Sequence, residues 1–184
     1  MGISRKDDQF GFEENDAVPS CTNCSKMKQN LSYSDFLMAC KQIYNFHESG
    51  VGSTSMVPFH KEIREKWTND SIGIKYISHG EEWCLKLVQY SGNGRSLADY
   101  AYDAGKRDLE FEIDQVTFDT LTSLPCMFCG FCNKQRIGID RIDSSRGYMK
   151  DNVQPACTTC NFMKKDFTNE FFVEQACKIA CQNV

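Results

Sequence analysis

Little in this sequence points to a membrane, to secretion or to disorder. No apolar run approaches the ~20 residues that cross a bilayer, and the opening MGISRKDDQFGFEEND lacks the apolar core of a signal peptide. A soluble, intracellular protein is expected, in cytoplasm or nucleus and with no membrane partner. Proline is sparse at 4 residues and glycine modest at 12, while 41% of the chain is hydrophobic, which excludes disorder throughout. Histidine is scarcer still: His47, His60 and His79 are the three, each read as a surface or packing residue, with His79 beside Gly80 within possible reach of a site. The length of 184 residues allows one ordinary domain, or one small domain with an N-terminal extension. Cysteine, by contrast, is abundant. Eleven of them, an odd number with no leader before them, argue against a disulfide framework and for thiolate metal sites in a reducing compartment.

The net charge of −4 hides segregation along the chain. Between Phe131 and Lys165 stand Lys134, Arg136, Arg141, Arg146, Lys150, Lys164 and Lys165 against Asp140, Asp143 and Asp151, a local balance of +4. Acids gather at the other end. Asp7, Asp8, Glu13, Glu14 and Asp16 make residues 1–18 an expected acidic, disordered arm.

Hydrophobic spacing predicts a helix over 33–47 with Ser34 as its N-cap, a short helix over 58–67, strands over 72–76 and 83–90, and a helix over 96–106 after the Gly-rich break at 91–94. The domain boundary is expected at that break, with residues 19–90 as an N-terminal extension and 95–184 as the second domain. Leu109 to Ile113 alternates like a half-buried strand, and residues 116–124 have helical spacing. RIGIDRID over 136–143, the turn residues Ser144 to Gly147 and the segment from Asn152 predict a hairpin, followed by helices over 161–165 and 168–181.

A repeat is visible inside the chain. Adding 136 carries Pro19, Cys21, Thr22, Cys24, Met27, Lys28 and Phe36 onto Pro155, Cys157, Thr158, Cys160, Met163, Lys164 and Phe172. Residues 19–47 therefore read as a helical half-copy of a C-terminal unit, a structural or binding remnant without the hairpin half.

Cys126-x2-Cys129, 27 residues, then Cys157-x2-Cys160 is the spacing of a four-thiolate zinc site, with Cys132 an alternative to Cys126. Such a closed site is structural. It staples a small hairpin-and-helix unit whose apolar core is otherwise thin.

Between the thiol pairs lies IGIDRIDSSRGYMKDNVQPACTTCN. With Cys126-Met-Phe-Cys129-Gly130 before it and Asn161-Phe-Met163-Lys164 at its end, it resembles the HNH endonuclease family of the ββα-metal group. The likeness is to phage and large-virus variants that read CxxCG, IDRID and GYxxxNVxPxCxxCNxMK, and it covers about residues 97–180. It implies an α+β fold, a zinc-bound ββα module with flanking helices over 95–184, and a metal-dependent endonuclease acting on nucleic acid, DNA foremost. By position, Asp140 and Asn161 are implied as ligands of a catalytic Mg²⁺ or Mn²⁺, and Asn152 as the residue that buttresses the hairpin and orients the base. Arg141 stands where the family has its general-base His, and a guanidinium cannot accept a proton at neutral pH. Arg141 is then expected to clamp phosphate, with Asp143 or a metal-bound hydroxide as base. Arg146, Lys150, Lys164 and Lys165 are the expected backbone contacts on nucleic acid. The alternative is a weak or inactive zinc-bound nucleic-acid adaptor.

Overall fold

The structure, a computed structural model, describes residues 2–6, 17–57, 59–66, 68–69, 74–78, 81–90, 95–132 and 136–183. The chain divides into two units, one of residues 1–36 and 58–91, the other of residues 37–57 and 92–184. The expected boundary at 91–94 lies outside the described residues.

In the first unit, β1 (Gly2–Arg5) pairs antiparallel with β2 (Ala17–Ser20), and α1 (Thr22–Lys28) follows directly. Strands thus occupy both ends of the segment expected to be a disordered arm; the acidic residues 7–16 lie outside the described residues. α2 (Tyr33–Ser49) begins here and continues into the second unit. Its cap is Ser32 rather than Ser34, because the Ser32 hydroxyl accepts the Asp35 N–H at 3.1 Å. A three-stranded antiparallel sheet of β3 (Phe59–Lys66), β4 (Ile74–Ser78) and β5 (Glu81–Tyr90), in the order β3-β5-β4, completes the unit. The extension is therefore mixed: α1 and α2 are helical, strands stand near the expected 72–76 and 83–90, and the short helix expected over 58–67 is a strand instead. Its charged segment 59–66 runs as a strand because β5 pairs with it along its whole length, from Phe59↔Tyr90 to Lys66↔Trp83. That ladder outweighs the local helix preference of Lys, Glu and Arg.

The second unit is built from local signals that agree with one another. Ser96 and Asp99 close a reciprocal capping box at the start of α3 (Leu97–Lys106), and Asp114 caps α4 (Gln115–Ser123) by accepting the Thr117 N–H at 2.7 Å. Antiparallel β6 (Gly138–Arg141) and β7 (Val153–Ala156) form the hairpin, then α5 (Thr158–Lys164) and α6 (Asn169–Gln182). The break between these helices falls at 165–168, as expected from Asp166-Phe167. Leu109 to Ile113 is not a strand: a lone bridge joins Phe111 to Tyr148, since the neighbouring chain offers one residue to pair with.

Tyr100, Ala104, Ile113, Phe118, Ile139, Tyr148 and Val153 form the core beneath the hairpin. The Tyr100 hydroxyl accepts the Ile139 N–H at 3.1 Å, a donor that points away from β7 at this position of the antiparallel register, and so ties α3 to the hairpin. Gly147 lies against the main chain of Glu110, where an added Cβ would overlap backbone atoms that cannot turn aside. Gly147→Ala is expected to cost about 1–3 kcal/mol, read as a lower denaturation midpoint at unchanged zinc content.

Candidate metal centre

Two turns bring the thiols together. Gly130, at φ +66°, lets the chain fold back so that its N–H reaches the Cys126 carbonyl at 2.8 Å, which closes the first knuckle. The Met127 N–H donates to the Pro155 carbonyl at 3.0 Å and ties that knuckle to β7. Cys157 directly follows β7 and stands at the N-cap position of α5, and Cys160 lies in the first turn of the helix. The Sγ atoms of Cys126, Cys129, Cys157 and Cys160 lie within 4.8 Å of one another and all four residues are buried. Cys129 and Cys157 are 3.8 Å apart, the S···S edge of a tetrahedron with Zn–S of ~2.3 Å. Cys132 is exposed and outside the cluster, so Cys126 fills the first position.

The protonation of these sulfurs fits an ion. Hydrogen bonds from Cys129, Cys157 and Cys160 hold the Cys126 thiol well below its ordinary range. Hydrogen bonds to Cys126 and Cys129 push Cys160 well above it. A dication at their centre would let all four ionise.

On the next turn the acid appears. Asp140, midway along β6, is buried, and two cationic or amide groups converge on its Oδ2: Lys164 Nζ at 3.1 Å and Gln154 Nε2 at 3.1 Å. Gln154 stands opposite Asp140 in the hairpin register. Its amide also exchanges hydrogen bonds with Asn169 at the start of α6, at 2.9 and 2.8 Å. Burial pushes the Asp140 carboxyl up, and the Lys164 charge and the Gln154 hydrogen bond oppose that rise. Asn161, on the face of α5 that also bears Lys164, donates its amide N–H to the Ile139 carbonyl at 3.4 Å. Asn161 thus reaches the strand residue next to Asp140. Asn169, Gln154 and the Lys164 contact escaped the sequence reading. The signals were there in the strict pairing of 140 with 154 and the i, i+3 spacing of 161 and 164.

The remaining expected site residues hold the hairpin. The Asn152 Oδ1 accepts the Asp143 N–H at 2.8 Å, and its Nδ2 donates to the carbonyls of Asp143 and Gly147 at 3.0 and 2.8 Å. Asn152→Ala would strip three bonds that this buried side chain makes to the hairpin turn and is expected to lower stability by about 3 kcal/mol in denaturant unfolding, at roughly 1 kcal/mol each. Arg141 donates from Nη1 to the carbonyls of Ser144 and Arg146 at 2.8 and 2.7 Å and lies over the Tyr148 ring, so this fork is turned onto its own turn. Tyr148 packs on Tyr100 and Phe111 in the core. The Asp143 carboxylate accepts the Ser145 N–H and hydroxyl and is held below its ordinary range by them. Arg146 pairs with Asp151 and Lys150 with Asp114, all at the surface. Lys165 is exposed. Lys164 corrects its expectation as a surface contact: its side chain is 0% exposed, drawn inward by Asp140 and by the Arg141 carbonyl at 2.9 Å. His47 is exposed, and its ring meets Phe46 edge-on; the side chain of His60, and His79, lie outside the described residues. Among the described residues no helix is long and apolar enough to cross a membrane.

No family model matches the chain. Over 168 residues, 90% of this chain, it is 26% identical to a protein of Acanthamoeba polyphaga mimivirus described as "Uncharacterized protein R423", and it spans 26% of that protein's length. Among solved structures, that of the rare-cutting HNH restriction endonuclease PacI aligns with 50% of this chain and 84% of its own at 22% identity and a TM-score of 0.40.

Proposed function

We propose that residues 95–184 act as an HNH-type nuclease that hydrolyses phosphodiester bonds of nucleic acid, DNA foremost, with a structural zinc and a catalytic Mg²⁺ or Mn²⁺. One observation carries the reading. A buried acid on β6, and on α5 an amide that donates to the carbonyl of the strand residue before that acid, lie next to each other, and the amide directly follows the last cysteine of a four-thiol cluster of zinc dimensions.

The donor set suits a hard dication. Both side-chain partners of Asp140 sit on Oδ2, which leaves Oδ1 as ligand, and the anchored NH₂ of Asn161 leaves its amide oxygen. Two protein oxygens are few, as is usual for Mg²⁺, which keeps waters and takes phosphate oxygens. Once bound, the ion would polarise the scissile phosphate and the leaving oxygen. Asn152 keeps the hairpin turn in shape, and Lys164 offsets the charge of Asp140. Neither Arg141 nor Asp143 is a good base, the first because it stays protonated and the second because Ser145 stabilises its anion. A slow enzyme follows, since a missing base forfeits roughly 10² to 10⁴ in rate.

The Lys164–Asp140 pair favours a second reading, in which the internal ammonium replaces the metal and the module only binds nucleic acid. Purified protein with plasmid, single-stranded DNA or RNA and Mg²⁺ or Mn²⁺ separates the two. Slow cleavage that a chelator stops, and that falls about 100-fold in Asn161→Ala, is expected. Retention of nucleic acid with no cleavage under any metal would establish the adaptor.

A further inference from the structure

The first thirty-six residues hold more of the repeat than their cysteines suggest. β1 and β6 start at 2 and 138, β2 and β7 at 17 and 153, α1 and α5 at 22 and 158, α2 and α6 at 33 and 169, a constant offset of 136. The hairpin registers agree at the same offset: Gly2↔Ser20 and Arg5↔Ala17 answer to Gly138↔Ala156 and Arg141↔Val153. So do the helix ends. Cys21 caps α1 at φ −77°, ψ 159° and Cys157 caps α5 at φ −69°, ψ 158°, while Gln29 and Lys165 close them in the same rare conformation, φ 47° and 52°. The copy is a whole ββα module, not the half expected from its cysteines.

Two copies of one fold in one chain separate what the fold needs from what only one copy uses. Both keep the strand-opening Gly-Ile-x-Arg, the Pro before the knuckle, the thiol pair and the Met-Lys of the helix. Met27 and Met163 are fully buried, and Lys28 and Lys164 nearly so, which marks these shared residues as scaffold. Arg141 and Lys164 belong to that set. The differences fall elsewhere: Ser4 stands for Asp140, Val18 for Gln154, Ser25 for Asn161 and Tyr33 for Asn169. These are the acid, the amide beside it and the reciprocal pair that reaches Oδ2. The first copy forms the same hairpin and helices without any of them, and a buried carboxylate costs stability.

Resting on the nuclease reading above, we infer that Gln154 and Asn169 are positioning residues of the Asp140 site, and that residues 2–36 are a copy of the module from which this site has been erased. Asn169 fixes the Gln154 amide by two bonds, so that Nε2 engages Oδ2 and turns Oδ1 of Asp140 toward an incoming cation. Partners of this kind typically carry 10- to 100-fold in metal affinity.

The test is Mn²⁺ binding to the full chain, followed by electron paramagnetic resonance in wild type, Gln154→Val, Asn169→Ala and the double variant. Gln154→Val installs the residue that the first copy already tolerates. Each single variant is expected to weaken Mn²⁺ about 10-fold, and the double variant no more than the worse single, because the two amides act as one unit. Zinc content and thermal midpoint should stay near wild type. Variants that bind Mn²⁺ as tightly as wild type, or whose affinity falls only together with a large drop in midpoint, would overturn the positioning role alone. A wild type that binds no Mn²⁺ would overturn the nuclease reading and this role with it.

Discussion

Stripping zinc from the four-thiol knuckle is expected to unfold the hairpin and the helices that follow it, not merely loosen them. Knuckle, β7 and α5 share one tie: Cys157 is the single residue between strand and helix, and Cys160 follows within a turn. Structural zinc sites contribute roughly 10–16 kcal/mol at neutral pH, which equals or exceeds the 5–15 kcal/mol stability of an ordinary domain. Chelation, or Cys160→Ser, should therefore abolish the cooperative melting of this unit and free its amides to exchange. Because each thiol must lose its proton to bind, the affinity should fall as the pH is lowered. Native-state hydrogen exchange with and without chelator reads the effect; a melting curve indifferent to zinc removal would mean that the apolar core suffices alone.

Lys164→Met carries the second large effect. The ammonium is enclosed with Asp140, and removing it leaves a carboxylate both buried and unpaired, at a cost of about 3–5 kcal/mol. The sign with pH follows from burial, which already raises the folded-state pKa of Asp140. Such a group costs nothing below the unfolded value of about 4, and the cost grows as the pH rises through the folded one. Without Lys164 that pKa rises further, so the variant should be most nearly normal in mild acid and worst at neutral pH. The double variant Lys164→Met/Asp140→Asn should recover most of the loss, since no charge remains buried. Urea unfolding of the set at two pH values, with zinc held saturating, measures this; equal losses in single and double variants would show that Lys164 matters through packing and not charge.

The knuckle was legible in the sequence because thiol spacing is a nearly sufficient signal: two short turns aim four sulfurs at one point wherever the intervening hairpin goes. The hairpin was legible too, from alternation and turn residues at 144–147. Charge partners were not. Nothing local says that Lys164 turns inward while Lys165, its neighbour, stays exposed; the helix ends between them, and Lys165 takes a left-handed conformation. Arg141, assigned to phosphate by analogy of position, donates from Nη1 to two carbonyls of its own turn. The Gln154–Asn169 pair required knowing both the register of β7 and the start of α6. The first copy of the hairpin was missed for a different reason: β1 and β2 are only four residues each, and the acidic stretch between them reads as an arm. Segment 59–66 reads as helix because its charged residues favour one locally, and only its long pairing with β5 decides otherwise.

The central claim is that Asp140 and Asn161 share one divalent cation beside a zinc that merely holds them there. It is tested most directly by metal-dependent cleavage of supercoiled DNA by Asp140→Asn, an isosteric change compared with wild type at equal zinc content. The account predicts slow Mg²⁺- or Mn²⁺-dependent nicking by the wild type and its loss by at least about 100-fold in the variant, assayed well below the melting midpoint that the now unpaired Lys164 lowers. Undiminished nicking by Asp140→Asn would contradict it.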